Sequence, residues 1–184
     1  NYNDYYYEAG KAYVFVDPNS DGNWTDKTTT VLQGSSLSQG DGFGTSVLLT
    51  NSMILIGAPQ FGVTGGSGYV DYYDRANLSS RLGTLSGTTG GNTFGYSMSM
   101  IGSRLIVGAP NRTRYNYYVN DAYQNGMARI FSLSGNAFTA QSTISSANYM
   151  YGFGESVLAT GSNFLVGAPG EGSINATGTV FFVK

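Results

Sequence analysis

The sequence predicts an all-β chain built from four-stranded antiparallel units, and three observations carry that expectation. With 27 Gly and 15 Tyr in 184 residues, and Ser, Thr and Asn abundant, the composition suits short strands joined by many turns. One stretch is written three times, as GFGTSVLLTNSMILIGAP (42–59), TFGYSMSMIGSRLIVGAP (93–110) and GFGESVLATGSNFLVGAP (152–169). Inside each copy, positions alternate as the two faces of a strand require.

The spacing within the copies is constant. Phe43-Gly44, Phe94-Gly95 and Phe153-Gly154 each begin 14 residues before the Gly of a Gly-Ala-Pro, at Gly57, Gly108 and Gly167. The spacing between copies varies, as in a repeat array with insertions in its loops. In the first strand, Phe43, Thr45, Val47 and Leu49 are expected on one face, as are Phe94, Tyr96, Met98 and Met100, and Phe153, Glu155, Val157 and Ala159. Ser46, Ser97 and Ser156 are expected on the opposite face, as small packing residues.

A polar turn leads to a second strand, MILIG, RLIVG or NFLVG, whose continuous apolar run suits a strand covered on both sides. Proline ends it, having no N–H for the ladder, and the Gly-Ala before it leaves room for a close neighbour. The third strand is GSGYVDYY (66–73), GMARIFS (126–132) or GTVFFVK (178–184), with a fourth copy, GKAYVFV, at 10–16. The last and least regular strand is WTDKTTTVL (24–32), SRLGTLS (80–86) or FTAQSTIS (138–145). Four antiparallel strands per repeat of this length match one blade of a β-propeller.

Phe-Gly-x-Ser, an aliphatic strand ending in Gly-Ala-Pro, and then Gly followed by an apolar strand resemble the FG-GAP repeat, which builds the propeller head of integrin α subunits and recurs in secreted and surface proteins. The resemblance spans nearly the whole chain. It implies an integrin-like propeller segment over 1–184: a partial blade at 1–40, blades at 41–91 and 92–150, and a partial blade at 151–184. Two explanations of the incomplete count stand side by side. The residues are a segment of a longer chain, or further copies, blades or another protein complete the open ends.

Function is expected to be non-catalytic. The sequence has no His and no Cys, which removes His-based triads, thiolate nucleophiles and thiolate metal sites. A net charge of -2 gives no electrostatic basis for nucleic-acid binding, and no apolar run is long enough to insert in a membrane. Four sequons, at Asn23, Asn77, Asn111 and Asn175, fall in expected loops and offer glycosylation sites, in keeping with an extracellular or cell-surface location.

Two places are candidates for binding. The loop DPNSDGNWTD (17–26) sets Asp17, Asn19 and Asp21 at alternate positions before Gly22, with Asp26 beyond, as a candidate Ca2+ loop. Pro, Asn, Asp and Gly are equally the residues of an ordinary tight turn. Some integrin repeats bind calcium in the turn between the first two strands, but the turns here, TNSM, IGSR and TGSN, hold no carboxylate. The second place is a set of Tyr-rich segments containing Tyr5, Tyr6, Tyr7, Arg114, Tyr115, Tyr117, Tyr118, Tyr123, Tyr149 and Tyr151. Large, rigid tyrosines among Asn, Asp and Arg suit a ligand-binding surface, or pack against one another. By the resemblance, these connections share the end that binds ligand in integrins. The expected role is adhesion, protein–protein interaction or structural assembly, with a protein partner. The alternative is a carbohydrate-binding propeller taking a glycan, or the accessory propeller of a secreted hydrolase.

Overall fold

The computed structural model describes residues 9–36, 38, 40–60, 66–88, 93–110, 126–145, 152–170 and 178–183. These form thirteen strands and no helix, so no helix among them could cross a membrane. Sheet I pairs β1 (Ala12–Val16) with β2 (Thr28–Leu32). Sheet II runs β3 (Ser46–Leu49), β4 (Met53–Ala58), β5 (Tyr69–Asp74) and β6 (Arg81–Ser86), each antiparallel to the next. Sheet III repeats that order with β7 (Ser97–Ile101), β8 (Arg104–Ala109), β9 (Met127–Ser134) and β10 (Ala137–Ser145). Sheet IV has β11 (Ser156–Thr160), β12 (Asn163–Ala168) and β13 (Thr179–Val183).

Three apolar cores lie between successive sheets. Ala12 and Leu32 of sheet I meet Phe43, Ile54 and Ile56 of sheet II. Met53, Leu55, Val70 and Tyr72 on the other face of sheet II meet Phe94, Leu105, Val107 and Phe131. Ile106 and Ala128 on the far face of sheet III meet Phe153, Ala159, Phe164 and Val166. β4 and β8 therefore bury side chains on both faces, which explains their unbroken apolar runs.

β12 differs. Phe164, Val166 and Ala168 are buried while Leu165 and Gly167 are only half-buried, so this strand is covered on one face among the described residues, not on both as expected.

In two copies the expected face is kept: Phe94 shares a core with Met98 and Met100, and Phe153 with Val157 and Ala159. In the first copy Phe43 is buried but Thr45, Val47 and Leu49 are exposed, because among the described residues sheet I sets no strand in front of β3. Gly44, Gly95 and Gly154 sit at φ +95°, +92° and +94°, a left-handed conformation that turns the chain just before the strand starts. Each such turn folds its Phe into the core shared with the preceding sheet.

This turn is the joint between sheets. The N–H of Gly44 donates to the Gly57 carbonyl (3.0 Å), Gly95 to Gly108 (3.1 Å) and Gly154 to Gly167 (3.0 Å). The two ends of the repeated stretch thus close one hairpin, which accounts for its constant length. Reaching back, the turn's glycine carbonyl accepts from the serine of the sheet before: Ser46 Oγ to Gly95 (2.6 Å) and Ser97 Oγ to Gly154 (2.8 Å). The same carbonyls press so closely on Gly57 and Gly108 that a Cβ there would collide with them. The room left by Gly-Ala-Pro is used by the neighbouring backbone, as expected from the sequence.

Candidate functional site

Two clusters of acidic groups stand out, and they differ in kind. The first is the hairpin joining β1 to β2. Asp17 Oδ1 accepts the N–H groups of Asn19 (3.2 Å) and Ser20 (2.9 Å), and its Oδ2 accepts that of Gly22 (2.8 Å). Asn19 Nδ2 donates to Asp26 Oδ2 (2.6 Å), and Asp21 Oδ1 accepts from Asn23 N–H (2.7 Å). The fold brings Asp17, Asp21 and Asp26 together, with one carboxylate oxygen from each lying within 4.8 Å of the others. Three converging carboxylates can supply part of the oxygen shell of a hard cation such as Ca2+. Asp17 is at the same time the acceptor that closes the turn, so the loop has a structural reason for its acids.

The second cluster lies between sheet I and sheet II, and sequence reasoning missed it. Asp71, on β5, is fully buried. It accepts from Ser35 N–H (2.7 Å), Ser35 Oγ (3.1 Å) and Thr84 Oγ1 (2.5 Å), with the Arg81 guanidinium 3.6 Å away. Asp41 is also fully buried and accepts from Gln60 Nε2 (2.9 Å), Ser38 N–H (3.2 Å) and the Tyr69 hydroxyl (3.4 Å). Burial, reinforced by the Asp41 and Asp71 carboxylates, holds the Tyr69 phenol well above its ordinary value. Burial and then Asp71 push Tyr73 the same way. Both acids are satisfied by surrounding donors, so this network fastens the β2–β3 connection onto sheet II.

A single repeated position gives each sheet its own chemistry. The residue three places beyond the glycine that leads each third strand faces the preceding sheet. It is Asp71 in sheet II, Arg129 in sheet III and Phe181 in sheet IV, with Tyr13 the counterpart in sheet I. Arg129 lies over the rings of Phe94 (5.6 Å) and Phe131 (5.1 Å) and donates from Nη1 to the Ser86 carbonyl (2.7 Å). Desolvation lowers its affinity for the proton.

Of the four sequons, two are in described residues, and both lie in hairpins joining a third strand to a fourth. Asn23 is exposed, and its Oδ1 accepts from Thr25 N–H (3.1 Å) and Oγ1 (2.8 Å). Asn77 is exposed, and its Oδ1 accepts from Ser79 N–H (3.2 Å). Asn111 and Asn175 lie outside the described residues. So do all the Tyr-rich binding candidates, namely Tyr5, Tyr6, Tyr7, Arg114, Tyr115, Tyr117, Tyr118, Tyr123, Tyr149 and Tyr151.

Exposed aromatic and aliphatic side chains occur towards both ends of the row of sheets: Tyr13 (57% exposed) and Phe15 (50%) on sheet I, Val47 (66%) and Leu49 (61%) on β3, and Leu158 (51%) and Phe182 (57%) on sheet IV. No family model and no curated protein matches the chain.

Proposed function

We propose that the chain is a segment of a β-propeller of the FG-GAP type, acting outside the cell or on its surface as a non-catalytic module for adhesion, protein binding or assembly. Blades over 41–91 and 92–150, flanked by partial blades at 1–40 and 151–184, fit that reading. The observation that carries it is the repeated joint, in which a Phe-Gly turn fills the core below it and takes a serine hydrogen bond from the sheet before. The first strands also lie side by side, β7 touching both β3 and β11, as sheets packed around a common axis require. A scaffold so regular hosts function in what does not repeat. Here that is the Tyr-rich segments; the described glycines that follow two of them, Gly10 and Gly126, lie against the turns at Phe43 and Phe153.

An experimental structure of the complete reading frame tests the propeller: sheets radiating from one axis support it, and sheets stacked into a sandwich overturn it. Binding is tested by joint replacement of Tyr115, Tyr117 and Tyr118 with Ala. Adhesion of protein-coated beads to cells of the source is expected to fall at least tenfold, while the unfolding midpoint stays put.

A further inference from the structure

The methionines are not spread evenly over the three cores. Of the five in the sequence, Met53, Met98, Met100 and Met127 all belong to the core between sheets II and III, and Met150 lies outside the described residues. Neither of the other two cores holds a methionine among the described residues. No position of the repeat keeps the sulfur, either. Where sheet III has Met98 and Met100, the first copy has Val47 and Leu49 and the third has Val157 and Ala159. Thioethers are therefore no requirement of the repeated joint; they mark this joint alone.

Their placement leaves three of them within reach of a small oxidant. Met98, Met100 and Met127 are half-buried, whereas Met53 is 1% exposed. β7 divides its chemistry between its two faces. Towards sheet IV, Ser97 Oγ donates to the Gly154 carbonyl (2.8 Å) and Ser99 Oγ accepts the Ala159 N–H (2.9 Å). Towards sheet II, Met98 and Met100 pack in the core that holds Phe94, Leu105 and Phe131. A thioether suits that apolar, aromatic setting. A sulfoxide does not, because its oxygen is a hydrogen-bond acceptor and the carbon side chains around it offer no donor.

We propose that Met98, Met100 and Met127 are oxidation sites through which peroxide opens the joint between sheets II and III and leaves the III–IV joint closed. Hydrogen peroxide transfers one oxygen to the thioether sulfur. The O–O bond breaks, an S–O bond forms, sulfur gives up two electrons, and the departing hydroxide takes the remaining proton and leaves as water. The polar product turns towards solvent, and that movement draws β7 away from sheet II. Met53, sealed in the intact joint, is oxidised only after the joint has opened. Reduction of the sulfoxides returns the thioethers, and the joint closes again. The device depends only on the packing of sheet II against sheet III, so it goes beyond the propeller reading and does not rest on it.

The test uses the whole chain, in which the absence of Cys leaves the thioethers as the first targets of peroxide. In a time course with hydrogen peroxide, read by peptide mass, sulfoxide is expected first at Met98, Met100 and Met127 and at Met53 only after a lag. The unfolding midpoint of the oxidised chain should fall by about 5 °C or more. Amide exchange should quicken across β5 and β7 and stay unchanged across β12. A methionine sulfoxide reductase with a dithiol should restore the midpoint. A chain carrying Met98→Leu, Met100→Leu and Met127→Leu should keep its midpoint in peroxide, since leucine fills a similar volume without an oxidisable sulfur. An oxidised wild-type chain with an unmoved midpoint, Met53 oxidised as fast as Met98, exchange quickened equally across β12, or a triple variant that loses as much as wild type would each overturn the proposal. The lag and the exchange pattern are read on wild type alone, so they decide the matter even where the triple variant does not fold.

Discussion

Gly108 and Gly167 occupy the same place in the same Gly-Ala-Pro, yet they live in different surroundings. Gly108 lies against the Gly154 carbonyl, and β8 around it is buried on both faces. Among the described residues, Gly167 has only Ser156 of its own hairpin near it, and β12 is covered on one face. The same motif is thus tightly enclosed where a second sheet seats on it and open, among the described residues, where none does. The requirement belongs to the joint between sheets and not to the strand that carries the motif.

Substitutions of matched residues sharpen this contrast. The largest loss is expected for Phe94→Ala, which empties the centre of the II–III core and should cost about 3–5 kcal/mol in chemical unfolding. Phe182→Ala, on the open face of sheet IV, should cost under about 1 kcal/mol in the same assay. Next comes Asp71→Ala. Removing the carboxylate that gathers Ser35 and Thr84 should cost about 2 kcal/mol and make the β2–β3 connection the first site of proteolysis. A smaller effect is expected for Ser97→Ala, about 1 kcal/mol, because the Gly154 carbonyl loses its donor; Ser156→Ala should be silent in the monomer.

The gentlest probe is alkaline pH. Tyr69 and Tyr73 keep their protons in the folded state above the ordinary tyrosine value of 10.0, whereas the unfolded chain releases them. The folded state then binds more protons, so stability is intact below pH 10.0 and falls as pH rises past it. Tyr69→Phe should flatten that fall in unfolding midpoints measured across the alkaline range.

Much of this architecture was legible in the residues. Constant spacing between Phe-Gly and Gly-Ala-Pro marks a hairpin of fixed register, and the thirteen strands lie on the segments that periodicity and turn residues pick out. The exposure of Thr45, Val47 and Leu49 escaped because nothing in β3 itself says whether a neighbouring strand lies in front of it. The one-sided cover of β12 escaped because its run, NFLVG, reads like that of β8; whether a neighbour arrives is decided elsewhere in the chain. Asp71 and Asp41 gave no signal, since their partners Ser35 and Tyr69 lie far off in sequence and are assembled only by packing sheet I on sheet II. The acids of the 17–26 hairpin were visible because a tight turn holds them close by local geometry alone.

The central claim is that the repeated motif is a joint between sheets. It is tested most directly by changing Gly57, Gly108 and Gly167 to Ala one at a time and measuring equilibrium unfolding under one condition. None of the three has a left-handed φ, so any difference reports space alone. Gly57→Ala and Gly108→Ala should lose about 3 kcal/mol or fail to fold, because a backbone carbonyl cannot yield, while Gly167→Ala should stay within about 0.5 kcal/mol of wild type as Ser156 rotates aside. Equal losses at all three positions would contradict the claim and make Gly-Ala-Pro a property of the single strand.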